Sequence, residues 1–311
     1  MTDTVLVTGG AGFIGSHLCD ALLRAGRRVR VLDDLSSGCR SNLSGDVELI
    51  EGDVVDRATV TRALDGVAAC CHLAAIASVE RGVRDWLGTH RVNLTGTVVL
   101  LDAVRACPVP VVYASSAAVY GDCQELPLAE DAAKRPLSAY GADKYGCELH
   151  AAVASRVHAV PTTGLRFFNV YGPRQDPRSP YSGVISIFCD RLARGAPVEI
   201  YGDGGQTRDF IYVADVVQAL LRALDRRVAE PDVFNVCSGN PASVLDVART
   251  IADLAGIALE ARFGPTRAGE IRHSVGSPAR ARAALGLSDT TPLRAGLVAV
   301  LDWLRQPRTG D

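Results

Sequence analysis

The stretch "VLVTGGAGFIGSHL", residues 5–18, decides the fold. It opens on an apolar run ending in Thr8, the pattern of a strand buried on both faces. Residues 13–25 then have the spacing of a helix, and the junction is rich in glycine. Gly9, Gly12 and Gly15 fit G-x-x-G-x-x-G, while Gly10, Gly12 and Gly15 fit G-x-G-x-x-G. Such a turn lets backbone N–H groups close on a pyrophosphate, whose charge the helix N-terminus stabilises.

Working outward, similar apolar runs recur at 29–33, 47–53, 69–74, 109–115 and 162–168. Helix-like segments at 56–65, 87–106 and 141–158 alternate with them. The pattern predicts an α/β chain: a Rossmann-type, doubly wound parallel sheet covered on both faces. After residue 169 the texture changes. "VYGPRQDPRSPYSG" (170–183) reads as a long loop, followed by helices at 184–195, 213–225, 243–255 and 293–304 and a strand at 198–201. The expected division is a dinucleotide domain over 1–168, to which the chain returns around 208–236. A smaller mixed region over 169–207 and 237–311 would pack on the sheet's carboxyl edge.

Composition narrows the function. With 48% apolar and 22% charged residues and a formal charge of −2, the chain offers no basic field for nucleic acid or anionic membrane. No apolar run approaches the roughly 20 residues that a membrane span needs. The N-terminus enters a strand directly, without a leader-like segment. Nine scattered cysteines without framework spacing favour reduced thiols and a cytoplasmic setting, and the six histidines show no metal-ligand spacing.

The second run ends in Asp33–Asp34, 18 residues after Gly15. A carboxylate there accepts both hydroxyls of an adenosine ribose and repels a 2′-phosphate, which favours NAD over NADP; Arg40 nearby is the one counter-indication. Asp53, in "EGDV", stands at the third strand's end, placed to touch an adenine or to cap a helix. Further on, "YGADK" puts Tyr140 and Lys144 four apart on one helix face. A phenol with the ordinary pKa of about 10 is a poor base at neutral pH. An ammonium one turn away and a positive nicotinamide ring stabilise its phenolate.

On these residues the chain resembles the extended short-chain dehydrogenase/reductase family along almost its whole length. The motifs are "TGGAGFIGSH", "DDLSSG", "GDVVD", "HLAA", "VNLTGT", "SSAAVYG", "YGADK", "RFFNVYGPRQDP" and "GDGGQTRDFIYVAD". Within that family it is most similar to nucleotide-sugar 4-epimerases acting on UDP-N-acetylhexosamines. The resemblance implies Tyr140 as base, Lys144 on the nicotinamide ribose and Ser116 hydrogen-bonded to the sugar 4-hydroxyl. It implies NAD contacts from Gly9, Gly12, Phe13, Ile14, Gly15, Asp33, Asp53, Val54, Leu73, Ala74, Ala75, Asn93 and Phe167. For the UDP-sugar it implies Ser78, Asn169, Gly183, Val184, Phe188, Tyr201, Arg208, Arg267, Glu270 and Ser274. It also implies a homodimer through helices near 87–106 and 141–158.

Two alanines sharpen the expectation. Sugar 4,6-dehydratases of this family carry an Asp–Glu pair after the catalytic Thr, and nucleotide-glucuronate decarboxylases keep a Glu two before the "VYG" tyrosine. Those positions are Ala117 and Ala118 here, so acids that move protons at C5 or C6 are missing. Ser274, small where glucose-only epimerases are bulky, implies room for a 2-N-acetyl group. The loop "GPRQDPRSPYSGVI" resembles the same subgroup, although its serine-rich active-site segment is reduced to Ser115–Ser116. The alternatives are a UDP-glucuronate 4-epimerase, with Arg174 as the basic group at C6, and a non-catalytic NAD-binding scaffold.

Overall fold

Val5, Leu6 and Val7 are wholly buried, and the strand they form is an inner one of a seven-stranded sheet. The computed structural model describes residues 3–177, 183–226, 228, 230–266 and 271–306. The first half runs β1 (Thr4–Thr8), α1 (Phe13–Arg24), β2 (Arg28–Asp33), β3 (Glu48–Glu51), α2 (Arg57–Leu64) and β4 (Ala69–His72). It continues through α3 (Val79–Arg84), α4 (Trp86–His90), α5 (Gly96–Val104), β5 (Val111–Ser116), α6 (Ala139–His158) and β6 (Thr162–Phe167). Then come β7 (Asn169–Tyr171), α7 (Val184–Ala193), β8 (Val198–Tyr201), β9 (Thr207–Tyr212), α8 (Val213–Asp225) and β10 (Asp232–Val236). The chain closes with β11 (Pro241–Ser243), α9 (Val244–Ala255), β12 (Ala261–Gly264), α10 (Ala279–Leu285) and α11 (Leu293–Arg305).

The large sheet has the order β10-β6-β5-β4-β1-β2-β3, every pairing parallel. Alternation along each strand feeds two cores. Val5, Val7, Val31 and Val112 pack with Leu18 and Leu22 of α1 and Val216 and Leu220 of α8. Leu6, Leu32, Cys70 and Tyr113 pack on the other face with Val60 of α2, Leu100 of α5 and Ala151 of α6. Strands β1 to β3 build outward one way, and β4, β5, β6 and β10 the other. The connections after β1 and β4 therefore diverge and leave a crevice at their carboxyl ends.

A further core joins Ile185 and Phe188 of α7, Val198 and Ile200 of β8, Val247 and Ile251 of α9 and Leu297 and Val300 of α11. It carries a three-stranded sheet, β11-β9-β7, and a two-stranded one, β12-β8. The chain rejoins the large sheet with α8 and β10, whereas β9 belongs to the small sheet. The start of the expected 170–183 loop is taken up by β7, which pairs with β9 in parallel.

One expected helix is interrupted. The segment 87–106 forms as α4, a π-helical turn at Arg91–Thr95, and α5. The carbonyl of Asn93 accepts from Thr97 Oγ1 at 2.7 Å and from Cys147 Sγ at 3.3 Å, side-chain bonds that hold the widened turn open. Among the described residues, no helix is long and apolar enough to cross a membrane.

Candidate active site

The glycine turn is built by close approach. Gly9 has φ +70°, and a Cβ on it would lie 2.7 Å from the Ala74 amide nitrogen, so the ends of β1 and β4 touch only because it is glycine. Gly15 abuts the Gly9 carbonyl just as tightly, seating α1 on the turn. Gly12, the N-cap of α1, is different. Only the Gly9 oxygen lies within contact range of a Cβ there, which leaves its outer side open to a ligand. Phe13 opens the helix with its ring edge-on to His17, and Ile14 packs on the core.

Asp33 closes the nucleotide end. Its carboxylate accepts from the amides of Ala11 and Leu35, both at 2.9 Å. Burial pushes its carboxyl above the ordinary carboxylate range, the two amides opposing the shift. Arg40 is ion-paired to Glu51 at 2.9 Å, so the one cation near this ribose position is already engaged by a carboxylate. Asp53 accepts from the Val55 amide at 3.0 Å and pairs with Arg91 at 2.9 Å; the α2 cap is Asp56 instead. Phe167 ends β6 and Val54 lies three residues past the end of β3, both as core residues. An open turn, a helix N-terminus and a carboxylate at the end of β2 fit a dinucleotide such as NAD.

The floor beneath this crevice is a hydrogen-bond chain. Thr97 Oγ1 donates to the Asn93 carbonyl, so it receives from His72 Nε2, 3.0 Å away. His72 Nδ1 is thereby left to accept from Thr8 Oγ1 at 2.8 Å, which in turn accepts from the Ala74 amide at 3.2 Å. Burial holds the imidazole down at about 3, with the Lys144 charge adding to the effect. Asn93 reaches across to Ile76, accepting its amide proton at 2.7 Å and donating to its carbonyl. It thus pins the loop carrying Leu73, Ala74 and Ala75, and Leu73 is also tied to the Thr8 carbonyl.

The residues expected to be catalytic sit where β5 ends and α6 begins. Ser138 caps α6 by accepting from the Gly141 amide at 3.1 Å, a contact worth about 1 kcal/mol. A Cβ on Gly141 would lie 2.6 Å from the Ala118 carbonyl oxygen, so the first turn of α6 lies against the 3₁₀ turn Ala117–Val119. Half-buried Tyr140 is in that first turn. Lys144, one turn on and buried, donates to the Ala114 carbonyl at 2.9 Å and lies 5.9 Å from the centre of the Tyr140 ring. Ser116 accepts from the Ala118 amide at 3.1 Å, which leaves its hydroxyl proton to give to a ligand.

Its neighbour Ser115 has a different task. Only 2% exposed, it donates to Glu148 Oε1 at 2.5 Å. Arg166 of β6 grips the same carboxylate with Nε at 2.8 Å and Nη2 at 2.7 Å, and gives Nη1 to Tyr120 Oη at 2.7 Å. Tyr120, fully buried, donates on to Asn235 at 2.6 Å, and burial pushes its phenol up to about 12. The tyrosine of "VYG" is thus held inside a buried network.

Several residues expected on the sugar side gather around the small sheet. Asn169 begins β7, Arg208 lies on β9 opposite Ala242, and the Ser274 amide donates to the Thr207 carbonyl beside it at 3.2 Å. Tyr201 ends β8, and Gly183 caps α7 just before Val184. Asp209 knots this region, accepting from Ser238 N and Oγ, both at 2.7 Å, from Gly239 at 2.9 Å and from Gly276 at 3.2 Å. Ser78 Oγ caps α3, accepting from the Arg81 amide at 3.0 Å, and Phe188 is 2% exposed within the second core. Arg174 is ion-paired to Asp20 of α1 at 2.7 Å through Nη2. Arg267 and Glu270 lie outside the described residues.

Residues 5–237 match the model of the NAD dependent epimerase/dehydratase family. The chain belongs to that family. A UDP-glucose 4-epimerase of Mycolicibacterium smegmatis is 38% identical to it, over 96% of this chain and 98% of its own. The UDP-glucose 4-epimerase of Thermotoga maritima, solved with UDP-glucose, is 36% identical with a TM-score of 0.94, covering 97% of this chain and 98% of that one. A UDP-N-acetylglucosamine 4-epimerase of Methanobrevibacter ruminantium, solved with UDP-N-acetylmuramic acid, is 33% identical with a TM-score of 0.92 and covers the same shares. This NAD-dependent epimerase carries, besides the residues its sequence singled out, His72 and the Glu148–Arg166 pair. A signal for Glu148 was present, because 140, 144 and 148 continue one four-residue spacing. His72 opens the "HLAA" motif, but its hydrogen bonds run to partners 64 and 25 residues away, which no local pattern marks.

Proposed function

We propose that this chain is a UDP-hexose 4-epimerase that interconverts UDP-N-acetylglucosamine and UDP-N-acetylgalactosamine, and also UDP-glucose and UDP-galactose. One observation carries the reading: Lys144, one turn from Tyr140, is bonded to β5 two residues before Ser116, at a strand end followed by two alanines, and the carboxylates of α6 beside it are engaged. Glu148 is sealed under Ser115 and Arg166, and Asp143 is paired with His90 at 2.8 Å. With alanines at 117 and 118 where an acid would act at C5 or C6, the chemistry stops at C4.

NAD held by the glycine turn, Asp33 and Lys144 supplies the acceptor and donor of hydride at that carbon. Tyr140 takes the proton of the 4-hydroxyl as the carbonyl forms, and the Ser116 hydroxyl donates to the same oxygen. Lys144, fixed to β5, stabilises the phenolate. The 4-keto sugar turns about its bond to the diphosphate, which Asn169 and Arg208 would hold. Tyr140 then returns the proton to the 4-oxygen, with the opposite face of C4 now turned toward the nicotinamide site. Proton and hydride are both restored, so the cycle needs no external reductant. Small Ser274 beside β9 supports room for the 2-N-acetyl group, while the pairing of Arg174 with Asp20 weighs against UDP-glucuronate.

We also read the chain as a homodimer. Trp86 and Leu87 of α4 are 69% and 79% exposed, and Leu149, Val153 and Val157 form an exposed stripe along the adjoining α6. Nine free thiols suit a reducing compartment, the cytoplasm. The test is NMR of products from UDP-N-acetylglucosamine, UDP-glucose and UDP-glucuronate, with no NADH added. The two C4 epimers of the first pair are expected. Product from UDP-glucuronate alone, or from none, overturns the reading.

A further inference from the structure

Tyr140, Lys144 and Glu148 recur every four residues and so share one face of α6, each about 6 Å further along the axis. Two of the three are fastened to consecutive residues of β5: Lys144 Nζ to the Ala114 carbonyl at 2.9 Å, and Glu148 Oε1 to the Ser115 hydroxyl at 2.5 Å. Strand alternation explains the second bond. Val111 and Tyr113 face the core that holds Ala151 and Ala154 of α6, and Ser115 continues that row. From behind, Arg166 on the neighbouring strand locks the Glu148 carboxylate with two bonds, so that it cannot swing away from Ser115.

We propose that Glu148 is a positioning residue for the 4-epimerase reaction: bonded to Ser115 and braced by Arg166, it sets where α6 sits along β5 and so where the Tyr140 phenol meets Ser116. The pair touches neither sugar nor cofactor. It acts because the reacting groups follow its own anchor points directly, Ser116 one residue after Ser115 and Tyr140 two turns before Glu148. A hydroxyl in the row of Val111 and Tyr113 is needed only if something across from it must be held.

This rests on the epimerase reading, and the test separates the two. Ser115→Ala removes one hydroxyl and leaves the Glu148–Arg166 pair. Turnover is measured with UDP-glucose and UDP-N-acetylglucosamine, together with bound NAD and the rate at which the bound nicotinamide is reduced on adding UDP-sugar. The expected result is a fall in kcat and in that reduction rate on the order of ten-fold or more, with KM and NAD content kept, since slight misplacement of reacting groups is costly. Glu148→Gln should lose at least as much, and adding Ser115→Ala to it should cost nothing further. A Ser115→Ala enzyme with kcat within two-fold of the parent overturns the proposal, even if it melts lower, as do independent losses in the double variant. If Glu148→Gln does not fold, Ser115→Ala decides alone. A parent that epimerises neither substrate overturns the functional reading and this assignment with it.

Discussion

Lys144 Nζ donates to the carbonyl oxygen of Ala114, 2.9 Å away, two residues before Ser116. The ammonium is thus tethered to the strand that presents the serine, at a fixed 5.9 Å from the Tyr140 ring. The position of the Lys144 charge beside Tyr140 is therefore built into the fold.

Removing the phenol oxygen tests that arrangement. Tyr140→Phe should lower kcat by roughly 10²- to 10⁴-fold, the usual range for a lost general acid–base group. Bound NAD, read by absorbance after denaturation, should match the parent. Retained turnover would assign the proton to another group.

Substrate breadth should depend on one small side chain. Ser274→Tyr fills space beside β9 and should reduce kcat/KM for UDP-N-acetylglucosamine at least about ten-fold more than for UDP-glucose, the scale of steric exclusion in a pocket. Equal losses on the two substrates would sink the gating role.

Acid should destabilise the fold partly through His72. Its folded pKa of about 3 lies below the ordinary 6.5, so the unfolded chain gains a proton that the native state refuses. The contribution is complete above pH 6.5 and falls by about 1.4 kcal/mol per pH unit toward the folded value. His72→Gln should remove this slope. In urea melts between those limits, the parent's stability relative to the variant should decline as pH falls; a constant difference would refute the assignment.

Association should rest on the apolar stripe of α6. Val153→Glu places a charge at a half-exposed position between Leu149 and Val157 and should shift sedimentation equilibrium toward monomer. Unchanged mass would put the dimer contact elsewhere.

Local features were legible in the sequence. The glycine turn, the seven-residue run of "VPVVYAS" and the spacing of Tyr140 and Lys144 each announce themselves within one element, where periodicity and turn chemistry act. What escaped depends on partners distant in the chain. Ser115 and Ser116 look alike until Glu148, 33 residues on, claims the first. The π turn at Asn93 needs Cys147 as well as Thr97, and the placement of β9 in the small sheet needs β7 and β11. Apolar pattern marks β9 as a strand but carries no address for its neighbours.

The Asp209 knot has a consequence for how this molecule comes apart. Phe168 alone separates β6 of the large sheet from β7 of the small one, and four residues separate β10 from β11. Asp209 ties the second of those crossings, through Ser238 and Gly239, to the tail at Gly276. Neither core has a boundary at which it could melt and leave the other standing. The two cores should therefore unfold together as one cooperative unit.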